Sequence, residues 1–273
     1  MKLRTLTKTA LRPVQSQLTK LVATKTTSFS SEVTENKDPH FEVGGKMRDI
    51  LENHSPCPTL SARMNIFANA TVGAIKDPTR ADLVSHVGET TGAFALSAVY
   101  ERMVSDPVGR RILEDKPRMR TPFFDWRDLS SMPEGTFGQE YFKFMDSHGY
   151  MPEERPVVKY VDDPTLAYVF QRYKEVHDYC HVLLNYDTSV MEELGLKWFE
   201  MVQTGVPVSS LSALIAPLAT LSPGQWPLFY STYVPHANKN ARYGKFMMNI
   251  YYEELMDRPV DEVRKELGYV PMQ

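Results

Sequence analysis

The sequence predicts an all-α protein, a single mostly helical domain with a loop-rich middle segment. Three observations predict it. Apolar and small residues recur at helical spacing through most of the chain, no strand-like runs alternate with those helical stretches, and prolines and glycines punctuate them where helices would stop. The chain has 273 residues, 42% hydrophobic and 24% charged, which is enough to bury a sizeable core. It contains neither an internal repeat nor a low-complexity tract.

Residues 1–31 carry Lys2, Arg4, Lys8, Arg12, Lys20 and Lys25 and no acid before Glu32. They are rich in Ser and Thr, with Leu3, Leu6, Ala10 and Val14 at helical spacing, and read as a mitochondrial transit peptide. A polar linker follows over 32–45, and the helical domain occupies 46–273. Within it, 59–78 reads as a helix stopped by Asp77-Pro78, 82–107 as a longer one stopped by Pro107, and the next short stretch as one ended by Pro117. The middle, rich in Pro, Gly and aromatics, reads as loops around one helix from Thr136 to Ser147, followed by an extended piece at VVKYVDD. Helices are then expected at 164–185, 189–204, 208–221, 223–234, 238–256 and 259–267.

Composition excludes some functions. A net charge of −3 gives no electrostatic basis for binding nucleic acid. Two distant cysteines, Cys57 and Cys180, form no disulfide framework and fit a reducing compartment. The most apolar segment, 206–221, is interrupted by Pro217 and is shorter than the roughly 20 residues a span requires. It reads as a buried or interfacial helix.

The chemistry concentrates at EVHDYCH, 175–181. Phasing 163–185 at about 100° per residue gives one apolar stripe through Leu166, Val169, Phe170, Tyr173, Val176, His177, Cys180 and Leu184. His177 lies near its middle, His181 at its edge, and Asp178 just beyond on the same side. Histidines at i and i+4 let two imidazoles share one ion, and a carboxylate beside them joins the set. Nitrogen and carboxylate donors favour Zn²⁺, with Fe²⁺, Mn²⁺ and Co²⁺ compatible. A core His177 bonded to a backbone carbonyl, with His181 and Asp178 on a solvated rim, would give the same pattern without a metal. The protease pattern fits poorly, because Asp178 stands where a general-base Glu would be. A further ligand is expected from the next helix, whose first turn offers both Glu192 and Glu193 behind a capping box at Ser189. Helix phase does not choose between them. Lys174, one turn before the histidines, faces the same side and is a candidate partner for a substrate carboxylate.

With these residues in hand, the sequence resembles the coenzyme Q biosynthesis protein 4 family. The signature is H-D-x-x-H, eleven residues, then E, here His177, Asp178, His181 and Glu193. DPVGRRIL, MPEGTFGQEYFKF, DDPTLAYVFQRYKEVHD and LKWFEMVQTGVPV match as well. The resemblance spans about residue 55 to 268. It implies a Zn²⁺ site made of those four residues, Glu193 rather than Glu192 among them. It also implies a peripheral position on the matrix side of the inner mitochondrial membrane, among other ubiquinone-biosynthesis proteins, with a homo-oligomer compatible. The implied activity is removal of the C1 carboxyl group, oxidatively or not, from a polyprenylated 4-hydroxybenzoate lipid substrate, together with organising the ubiquinone-synthesis complex. The alternative is a lipid-binding scaffold with a structural metal. Four protein ligands in a closed site would favour the scaffold; an open position would favour chemistry.

Overall fold

One helix runs through the centre of the protein, and its first turn is fixed by Asp163. The Asp163 carboxylate accepts from the backbone N–H groups of Thr165 and Leu166 at 2.7 and 3.0 Å, and Pro164 sits where no donor is needed. The computed structural model describes residues 43–57, 59–76, 80–120 and 124–273. The transit peptide expected over 1–31 and the linker up to residue 42 lie outside the described residues.

The helices are α1 (Val43–Asn53), α2 (Leu60–Lys76), α3 (Ala81–Thr91), α4 (Ala93–Val104), α5 (Pro107–Asp115), α6 (Phe137–His148), α7 (Pro164–Leu184), α8 (Val190–Thr204), α9 (Pro207–Leu214), α10 (Ala216–Thr220), α11 (Val234–Tyr243) and α12 (Val260–Leu267). There is no strand among the described residues beyond an isolated bridge between Thr136 and Pro259. The all-α expectation holds.

The helix expected at 164–185 is α7, and it is more deeply placed than a single apolar stripe suggests. Every residue from Ala167 to Leu184 is buried. Its polar side chains are therefore all engaged. Glu175 accepts from the Arg118 guanidinium, which also reaches Asp49 of α1 at 2.6 Å. Gln171 bridges the Val158 N–H and Glu175. Arg172 is paired with Glu253. Around this axis α9 packs on α8 and α3, α2 packs on α3, and α11 packs on α8. At Gly88 an added Cβ would lie 2.5 Å from Phe170 Cζ and 3.2 Å from Val208 Cγ1, so glycine lets α3 approach α7 and α9 closely.

Several boundaries differ from the sequence reading, each for a local reason. The helix expected over 82–107 is divided into α3 and α4 at Gly92, although the Gly92 N–H still bonds Gly88 O at 2.8 Å. The one expected over 208–221 breaks at Ile215, two residues before Pro217, whose ring cannot continue it. Pro235 produces no break: Trp226–Leu228, a π-helical turn at Phe229–Tyr233 and α11 run on continuously. The helix expected over 238–256 ends at Tyr243. Gly244 packs under the Tyr269 ring, and the chain then crosses the core through 3₁₀ turns at Met247–Asn249 and Tyr252–Glu254. Phe246, Met247, Met248, Ile250, Tyr252 and Met256 are all buried there, a density of apolar side chains that imitates a buried helix in sequence. VVKYVDD pairs with no strand; its N–H groups at Lys159 and Tyr160 are held by Glu89 instead. α1 was not foreseen as a helix.

Candidate metal centre

α7 and α8 form the site. Ser189 caps α8, accepting from the Glu192 N–H at 3.4 Å, while the Glu192 carboxylate bonds back to the Ser189 hydroxyl. That capping box occupies Glu192 and turns the next residue, Glu193, toward α7. Glu193 Oε2 lies 3.2 Å from His181 Nε2 and Oε1 lies 3.6 Å from His177 Nε2. The two Nε2 atoms are 3.3 Å apart. Donor atoms of His177, Asp178 and His181 also lie within 4.8 Å of one another.

The tautomers follow from what lies behind the rings. His181 Nδ1 faces the Tyr186 carbonyl at 3.2 Å, and a carbonyl only accepts. His177 Nδ1 faces Glu200 Oε1 at 2.6 Å. Burial opposes the Glu200 charge, but Lys197 and His177 outweigh it and hold the carboxyl down at about 2. With Nδ1 of each ring protonated toward these acceptors, both Nε2 lone pairs point forward; the Lys197 ammonium also lies 3.2 Å from His177 Nδ1. Burial and the Lys197 ammonium push His177 below the ordinary imidazole range, toward the neutral form. Glu193 is desolvated too, yet His177, Lys197 and His181 keep it well below the usual carboxylate range.

Two imidazole nitrogens and a carboxylate thus converge on one point. A divalent ion with N/O preference fits this donor set. Carboxylate–histidine and carbonyl–histidine bonds behind the rings are the usual means of orienting metal-bound imidazoles. Asp178, Glu193 and Glu200 are faced by Arg155 and Lys197, which leaves a net charge of −1 among these five side chains. Asp178 is shared, because Arg155 Nε donates to its Oδ2 at 2.9 Å and Arg155 Nη2 donates to Oδ1. Cys180 is buried away from solvent and its thiol is pushed far up by burial, as expected of an inert core cysteine.

The sequence reading missed Lys197, Glu200 and Arg155 here. Glu193, Lys197 and Glu200 recur at i, i+4 and i+7, so one face of α8 presents all three; that spacing was the available signal. Arg155 carried none, since it reaches Asp178 from a loop 23 residues away.

A cavity of about 230 Å³ opens onto the site, lined by Val84, Phe170, Lys174, His177, Glu193 and Val208 among others. Lys174 is buried in its wall. Its ammonium donates to Ser85 Oγ at 2.6 Å and to the Pro156 carbonyl, and no carboxylate lies within ion-pair distance among the described residues. Burial lowers its pKa to about 8. A larger cavity of about 440 Å³ touches His181 from elsewhere, but Lys143, His148, Asp187, Glu192 and Arg264 make it polar.

The family model described as coenzyme Q (ubiquinone) biosynthesis protein Coq4 matches residues 51–273. Curated relatives named mitochondrial ubiquinone biosynthesis protein COQ4 homologs are similar throughout. The one from Nematostella vectensis is 43% identical over 72% of this chain and 96% of its own length. The mouse relative is 40% identical over 82% of this chain and 84% of its own length, and the human one 37% identical over 80% and 82%. A crystal structure from Nostoc punctiforme superposes at TM-score 0.60 and 20% identity, covering 76% of this chain and 96% of that one, a likeness of fold. The chain belongs to the coenzyme Q (ubiquinone) biosynthesis protein Coq4 family.

Proposed function

We propose that this protein is a metal-dependent carboxy-lyase of ubiquinone biosynthesis that removes the C1 carboxyl group from a 4-hydroxy-3-methoxy-5-polyprenylbenzoate. The observation that carries the proposal is the convergence of His177 Nε2, His181 Nε2 and Glu193 on one point beside a cavity that also holds a buried lysine. Three donors meet while Asp178 is shared with Arg155, so the site keeps room for an exogenous ligand, which favours chemistry over a purely structural metal.

His177, His181 and Glu193 would hold Zn²⁺ or a similar divalent ion, with Asp178 beside them engaged by Arg155. Such an ion supplies Lewis acidity toward a substrate carboxylate or phenolate oxygen. The protein supplies the rest. Lys174 offers a desolvated positive charge to the substrate carboxylate. Phe170, Val84 and Val208 give the ring apolar walls that exclude water. Decarboxylation requires a proton at C1, after which the bond to the carboxyl carbon breaks, its electron pair restores the ring, and CO₂ leaves.

The cavity is smaller than the roughly 300–1,000 Å³ of pockets for drug-sized ligands. It suits an aromatic head and leaves a polyprenyl tail outside. α9 lines the cavity through Val208 and exposes Leu211 and Leu214; Ile215 and Leu218 continue that apolar surface. No Asp, Glu, Lys or Arg occurs between Glu200 and Lys239. No helix among the described residues is long and apolar enough to cross a membrane. We read this face as lying on the inner membrane from the matrix side, so that the tail stays in lipid while the head enters the site. Association with other ubiquinone-biosynthesis proteins belongs to the same reading.

The test measures metal content and decarboxylation of a short-prenyl 4-hydroxybenzoate together, with and without oxygen, for wild type and His181→Ala. Turnover that disappears with the metal while the variant stays folded supports the lyase. Metal at one per chain with no turnover under either condition favours the scaffold.

A further inference from the structure

We propose that Arg155 is a specificity-determining residue that binds the anionic group of the substrate head, with Asp178 holding its guanidinium in place. This rests on the reading of the cavity as the site for a carboxylated aromatic ring.

Four observations carry it. First, Arg155 lines the same cavity as Lys174, His177 and Glu193. Second, its side chain is 29% exposed whereas Asp178 is 5% exposed, so the pair is buried at the acid and open at the guanidinium. Third, the fork is used on one edge only. Nε and Nη2 take both Asp178 oxygens, and Nη1 has no hydrogen-bond partner among the described residues. Three N–H donors are left in a fixed plane, two on Nη1 and one on Nη2, and one from each nitrogen forms the end-on pair that recognises carboxylates. Fourth, the next residue after Arg155 is Pro156, whose carbonyl accepts from the Lys174 ammonium. Two cations are thereby placed on either side of one short stretch of chain, both against the cavity. One is paired with Asp178 and the other has no carboxylate partner among the described residues, so an incoming anion meets an ammonium without a counter-ion beside the guanidinium. A bidentate pair to a buried aspartate keeps the guanidinium rigid, so little side-chain entropy is lost when the substrate arrives.

The experiment compares binding of two probes to the metal-loaded full chain: a short-prenyl 4-hydroxybenzoate and the corresponding prenylphenol that lacks the carboxyl group. Isothermal titration is done for wild type, Arg155→Gln and Arg155→Lys, with metal stoichiometry measured on each. A charge-assisted hydrogen bond to a carboxylate corresponds to roughly 10-fold to 100-fold in affinity. Arg155→Gln is expected to weaken the acid by that factor and the phenol by less than about 2-fold, with metal unchanged. Arg155→Lys is expected to recover part of the loss. Equal weakening of both probes, or loss of metal, would assign Arg155 a structural role and overturn the proposal. Unchanged affinity for the acid would overturn it as well. If wild type binds neither probe, the reading of the cavity fails before Arg155 is reached; that outcome is separate because it appears without any substitution.

Discussion

Glu200 illustrates how much of this site is arranged by groups that do not meet the ligand point. It fixes the His177 tautomer through Nδ1 and accepts from Lys197 at 3.1 Å and from Tyr173 at 2.5 Å, with the Ser209 hydroxyl closing the chain on the Tyr173 oxygen at 2.7 Å. Glu200→Gln removes the charge that orients the imidazole. Metal affinity is expected to fall about 10- to 100-fold, with circular dichroism unchanged, and a competition titration against a chromophoric chelator measures it. Lys174 makes a different prediction. Its pKa in the folded protein is about 8, lowered from 10.5 by burial. Between those values the unfolded chain binds more protons than the folded one, so stability rises with pH through that window. Below pH 8 the full cost of burying the charge is present, about 3 kcal/mol. Urea unfolding from pH 7 to 10 should show wild type gaining stability relative to Lys174→Met, with most of the gain above pH 8. A constant difference between the two would show that the ammonium is not desolvated.

Among the elements, α7 and α8 were legible because their ends carry strong local signals. Asp163 and Ser189 accept from backbone donors that would otherwise be orphaned, and Asn185 and Gly205 close the two helices with φ of 54° and 64°. Asp163→Ala should cost about 1 kcal/mol of global stability, read from the urea midpoint, without moving the histidines. The i, i+4 histidines needed nothing more than helix phase. Arg155 and the 244–256 segment were not legible, because what shapes them is distant in sequence. A loop arginine is recognised as functional only once Asp178 is seen in front of it, and the buried apolar run 246–256 gives up helical geometry because Tyr269 occupies the space over Gly244. Choosing between Glu192 and Glu193 required the family resemblance; the capping box that engages Glu192 now supplies the physical reason.

At the scale of the whole molecule, a buried polar axis carries the fold, and the apolar side chains left outside it include those of α9 and α10. Arg118, itself fully buried, connects Asp49 of α1 with Glu175 of α7. Arg118→Met should destabilise by about 3–5 kcal/mol, because it leaves Glu175 buried without its partner; thermal or urea unfolding measures this. The outer face is the charge-free surface of α9 and α10. Replacing Leu214, Ile215 and Leu218 together with Ser should abolish sedimentation with phospholipid vesicles while leaving metal content intact, and retained sedimentation would move the membrane contact elsewhere. This face could be noticed in the sequence as an interfacial segment, but its continuity with the cavity through Val208 depends on how α9 packs against α3.

The central claim is that His177 Nε2, His181 Nε2 and Glu193 share one ion. Titrating Zn²⁺ into the chelator-stripped full chain tests it most directly, with His181→Ala and Glu193→Gln measured in parallel. The account predicts one high-affinity site per chain in wild type that is lost in His181→Ala and severely weakened in Glu193→Gln, both variants remaining helical. Absence of a wild-type site, or a site that survives both substitutions, would contradict it.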